Sequence, residues 1–174
     1  MQSLLLITSA MVGWIQQLVL AISFVDVCCV LAAMVLIRLC RYAGMWIYAL
    51  IALPGTFAHE LAHFVVAWVL AARPTYPSLV PVRTARGWRL GSVAFRVGYA
   101  RAMPIALAPL ILAPLALWWA SALLHPASWP LYGLHVWVVA ALLTASLPSA
   151  TDWKLALPAL GVLVVIGLIA WMIW

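Results

Sequence analysis

Apolar residues run in long blocks along this chain, and the few polar breaks between blocks divide one candidate membrane helix from the next. Residues 3–40 form an apolar stretch broken by Gln16, Gln17 and Asp26. A membrane crossing takes about 20 residues, so this stretch is too long for one span. It predicts either an interfacial helix ahead of a span at Val19–Cys40 or two tight crossings, closed by Arg38 and Arg41. Tyr42–Ala72 is the next helical segment. Pro54-Gly55 lies inside it, and a proline that lacks its backbone donor predicts a kink near Leu53. Three further spans follow: Ala102–Leu124, bent by Pro104, Pro109 and Pro114; a short Leu131–Leu147; and Trp153–Trp174, with Pro158 near its start.

Between these helices, residues 73–101 change character. Tyr76–Arg83 and Trp88–Val97 flank Thr84-Ala85-Arg86-Gly87. The alternation with a glycine-containing turn predicts a β-hairpin, and the prolines make its first arm an edge. Backbone of this kind enters a bilayer only under cover of protein or a water-filled cavity. The predicted architecture is an all-α polytopic membrane protein with five to six transmembrane helices and a small membrane-associated β-hairpin. It forms a single domain over residues 1–174: an N-terminal helical region (1–41), a bent helix (42–72), the hairpin (73–101) and three C-terminal spans (102–174).

Composition agrees with a bilayer as solvent. The chain is 69% hydrophobic and 7% charged, with a mean hydropathy of +1.20, more apolar surface than a soluble domain of this size can cover. Trp14, Trp46, Trp118, Trp119, Trp129, Trp153 and Trp174 fall near the predicted span ends, as an aromatic belt does. Six of the nine basic residues lie between Arg73 and Arg101. Their clustering points to lipid headgroups and a cytoplasmic face, not to nucleic acid. That placement puts Asp152–Lys154 on the same side and leaves Arg38 and Arg41 opposite. Cys28, Cys29 and Cys40 form no disulfide framework and are expected to pack. The N-terminus lacks a basic region and a cleavage site, so it is read as retained. The Ala-, Leu- and Trp-rich character points to a bacterial cytoplasmic membrane.

One short segment carries chemistry. Glu60 is the only glutamate, and it lies between two of the four histidines in His59-Glu60-Leu61-Ala62-His63. This H-E-x-x-H spacing lets two imidazoles hold zinc from one helical face beside a general base. With His59 at zero on a helical wheel, His63 falls at about 40°, Thr56 at about 60° and Glu60 at about 100°, with Trp68 opposite. Ionisable groups in so apolar a setting are costly and mark function. A catalytic zinc takes a third protein ligand and keeps its fourth position open. The remaining candidates are Asp26, His125, His135 and Asp152. Asp152 is preferred, because it stands at a proline-broken junction where unwound backbone can carry it inward, and because an anion offsets part of the dication's charge. It is equally placed to cap the last helix with Ser149 or Thr151. Asp26 reads as a polar contact between helices or a group facing the cavity, His125 as an interfacial loop residue and His135 as a satisfied bundle histidine.

A membrane-embedded H-E-x-x-H, a hairpin directly after its helix and a distant aspartate beside a proline together resemble the site-2 protease family of intramembrane zinc metalloproteases. The resemblance runs from about Tyr42 to the end. It implies that His59, His63 and Asp152 hold one Zn2+, that Glu60 is the catalytic base, and that part of Val80–Val97 is the family's membrane-dipping β-segment. The substrates implied are transmembrane proteins or peptides, cut in or near their helices. The aspartate segment departs from the family pattern: Ser146-Leu147-Pro148-Ser149-Ala150-Thr151-Asp152-Trp153 lacks the usual Asn, Leu and Gly, so the chain reads as a divergent, minimal member. The alternative is a zinc-binding membrane protein without proteolytic activity, a sensor or inactive relative.

Overall fold

Glycine and proline set most of the helix boundaries. The computed structural model describes residues 20–84, 87–125 and 127–173, together with Gly13, Gln16 and Gln17. The expected interfacial helix or first crossing, and the N-terminus read as retained, lie mostly outside the described residues. Helix α1 covers Phe24–Ala43 and opens with a capping box: Ser23 accepts the Asp26 N–H while the Asp26 carboxylate accepts the Ser23 N–H. Gly44, at φ 135°, turns the chain into α2 (Met45–Ile51). Ala52 then breaks the helix and α3 (Leu53–Val69) departs at 69° to α2, with Pro54 in its first turn. The expected kink near Leu53 is thus a full break one residue earlier, where proline tolerates a helix start but not a helix interior.

The hairpin follows α3. Strands β1 (Val82–Thr84) and β2 (Gly87–Arg89) pair antiparallel, Val82 with Arg89, Arg83 with Trp88 and Thr84 with Gly87. They are shorter than the arms predicted from the alternation. Ser78 and Ser92 exchange both backbone hydrogen bonds at 3.0 Å below them. Between the two pairings, Leu79, Val80 and Pro81 on one arm face only Leu90 and Gly91 on the other. This extra residue is a bulge, with the ladder interrupted at Pro81, which has no N–H to give.

Helix α4 (Tyr99–Leu107) passes through a 3₁₀ turn at Ala108–Ile111 into α5 (Leu112–Leu123), so the proline-spaced segment is one irregular helix, as predicted. Helices α6 (Trp129–Ala145) and α7 (Ala150–Ile173) complete the chain. Helix α6 is central, with α1, α3 and α5 packed around it, while α7 packs along α4. The main core joins Val30, Ile37, Leu112, Ala116, Val139 and Ala140 among others. A Cβ on Gly55 would strike the Ala141 carbonyl, so glycine is what lets α3 close on α6.

Among the described residues, two stretches are long and apolar enough to cross a membrane, Arg101–Leu123 and Ala150–Met172, and the bent α2–α3 pair makes a third if it counts as one span. Over those residues the spans are fewer than the five to six expected. Helix α1 carries Asp26, Arg38 and Arg41 within its 20 residues, and α6 has only 17. Apolar composition alone did not distinguish such helices from full crossings.

Candidate metal centre

The sequence motif sits midway along α3, on the face turned to α6 and α4. Gly55 and His59 are one turn apart, and Ala141 and Ala145 are the matching pair on α6. His59 donates its Nδ1–H to the Ala145 carbonyl at 2.7 Å, and His63 donates its own to the Ile105 carbonyl at 2.7 Å. Both acceptors are free for a reason visible in the covalent chain. Pro109 stands four residues after Ile105 and has no N–H, so Ile105 accepts the tighter bond from Ala108 and keeps a lone pair for His63. Ala145 is the last residue of α6, and the N–H four residues on, that of Ser149, is given instead to Asp152.

With Nδ1 protonated and donating, the other nitrogen of each ring is a bare acceptor. The two Nε2 atoms lie 3.2 Å apart. Asp152 comes between them, with Oδ2 3.5 Å from His59 Nε2 and Oδ1 3.4 Å from His63 Nε2. Two lone pairs and a carboxylate thus converge, their ligand atoms all within 4.8 Å of one another. Such a set repels itself unless a cation sits at its centre. Two imidazoles whose outer N–H groups are fixed by carbonyls, plus one carboxylate, match a metal site and its supporting shell. The residues therefore fit a metal ion.

Asp152 stands in the group that could hold a metal ion and also caps α7. Ser149 precedes α7 and accepts the Asp152 N–H at 3.2 Å, while Asp152 Oδ2 accepts the Ser149 N–H at 2.6 Å. This reciprocal box anchors the carboxylate. Ser149, not Thr151, is the cap partner.

Glu60 is buried beside the histidines, directed to the segment after β2. A Cβ built on Gly91 would lie 2.7 Å from Glu60 Cγ and Oε1. Gly91 was not singled out by sequence reasoning; its only signal is a glycine inside a strand-like run, which marks close backbone approach. A cavity of 680 Å³ opens over the centre, lined by His59, Glu60, His63 and Asp152, by Thr56 on α3 and by Gly91 to Val93 on the hairpin. Trp68, predicted opposite the motif, is exposed.

The remaining candidates lie elsewhere. Asp26 is buried and accepts from Ser23 and from the Tyr132 hydroxyl at 2.8 Å, with His125 Nε2 at 3.2 Å. It links α1 to α6 as a polar interhelical contact, and the partnership with His125 was not foreseen. His135 accepts the Trp119 indole N–H at 3.2 Å, as a satisfied bundle histidine does. The three cysteines are free. Comparison with known proteins adds nothing to this geometry, for no family model, no curated protein and no solved structure matches the chain.

Proposed function

We propose that this protein is a multi-pass intramembrane zinc metalloprotease of the site-2 protease kind, hydrolysing peptide bonds in or near the transmembrane helices of its substrates. The observation that carries the reading is the convergence of His59, His63 and Asp152 on one point, with Glu60 beside them in a cavity. Two imidazoles and one carboxylate suit zinc and leave a coordination position open. Zinc in such a site supplies Lewis-acid polarisation of a carbonyl and eases the loss of a proton from water. Glu60 accepts the proton of the attacking water and returns it to the leaving amine nitrogen as the C–N bond breaks.

A helical substrate hides its backbone and must unwind to be cut. The hairpin offers an edge for the unwound segment. Ser92 spends its backbone groups on Ser78, so in antiparallel pairing its neighbours Gly91 and Val93 turn theirs to the opposite edge. Both line the cavity. Strand addition there would hold a peptide extended next to Glu60.

The test is Glu60→Gln in purified protein supplied with an unwinding-prone transmembrane peptide. The variant is expected to keep its metal and lose cleavage, whereas a fully active variant contradicts the mechanism. Zinc-loaded wild type that cuts no such peptide would favour the non-proteolytic alternative.

A further inference from the structure

The charge balance of the cavity bears on what enters it. Of the chain's three acidic residues, Glu60 and Asp152 line the cavity, and Arg89 and Lys154 line it too. A dication held by the two histidines and Asp152 offsets both carboxylates. Arg89 and Lys154 then remain as two uncompensated positive charges. Among the described residues neither is in an ion pair; the carboxylates of Asp152 and Asp26 meet histidines instead. The two cations stand on different walls. Arg89 ends β2, two residues before the glycine that touches Glu60, and Lys154 lies two residues after the ligand Asp152. The third acid, Asp26, is bound to Tyr132 and His125 away from the cavity.

We infer that the cavity selects peptide segments carrying an Asp or Glu beside the bond to be cut, with Arg89 and Lys154 as the residues that read the carboxylate. This rests on the proteolytic reading and adds a substrate class to it. Both cations are exposed, so each is worth roughly fivefold in affinity at low salt, the size of a solvent-exposed ion pair, and less as salt screens it.

The experiment measures binding, apart from turnover. Zinc-loaded wild-type protein is titrated in detergent with two fluorescent apolar peptides that carry a non-cleavable ketomethylene bond at an unwinding-prone centre and differ only in an Asp-Asp or Asn-Asn pair next to it. The acidic peptide should bind more tightly, the preference should shrink at high salt, and Arg89→Gln with Lys154→Gln should abolish it while the zinc content stays the same. Equal affinities overturn the inference and leave proteolysis standing. A preference that survives the double substitution overturns the assignment to these two residues. If neither peptide binds, the inference falls as well, and cleavage of the ordinary amide form of the neutral peptide by wild type then decides the proteolytic reading separately. Equal peptide affinities with weaker binding of the double variant to anionic vesicles would assign the two cations to lipid headgroups instead.

Discussion

Gly91 packs on Glu60 so closely that any side chain at position 91 would displace the carboxylate, since even a Cβ would stand 2.7 Å from Glu60 Cγ and Oε1. A general base moved by about 1 Å loses on the order of 100-fold in rate. Gly91→Ala is therefore expected to lower cleavage by about that factor while metal content is unchanged. Cleavage at the wild-type rate would show that the contact does not set the base.

The Ser149–Asp152 box makes a second prediction. Ser149→Ala removes the oxygen that caps Asp152 N–H at 3.2 Å and is expected to cost about 1 kcal/mol of stability. It also loosens the ligand's anchor, so metal affinity should fall about tenfold, the lower end for loss of a supporting contact. Competition against a chelator of known affinity checks this. An unchanged affinity would mean that the Ser149 N–H, at 2.6 Å from Oδ2, holds the carboxylate alone.

Away from the cavity, Asp26 ties α1 to α6 through Tyr132. Tyr132→Phe deletes a 2.8 Å bond to a buried carboxylate and should cost about 2 kcal/mol. His125→Ala should cost less than 1 kcal/mol, because its side chain is 52% exposed. Thermal unfolding in one detergent ranks the two, and both variants should retain full metal content. Loss of metal in either would mean that the two clusters are coupled.

Much of the centre was legible in the chain because its signals are local. The spacing of His59, Glu60 and His63 fixes their common face on any helix, and Pro54 and Pro148 mark breaks that covalent geometry imposes. Asp152 stands out among the few polar residues by its proline-broken junction and its negative charge. What stayed hidden depends on packing. That Ile105 and Ala145 would supply the carbonyls could be guessed from Pro109 and the helix end, but not which histidine meets which. The contact of Gly91 with Glu60 and the pairing of His125 with Asp26 join residues 31 and 99 positions apart, beyond the reach of any periodicity. Among the described residues the spans are fewer than expected for a related reason. Apolar blocks were counted as crossings, whereas α6 is short and α2–α3 is bent by 69°.

The central claim is that His59, His63 and Asp152 hold a metal ion together, and elemental analysis of the purified, folded protein in detergent tests it most directly. One zinc per chain is expected in wild type and in Glu60→Gln, with none retained by His63→Ala or Asp152→Ala after dialysis. Wild-type protein that is folded yet takes up no divalent ion, or an Asp152→Ala variant that binds as well as wild type, would contradict the account.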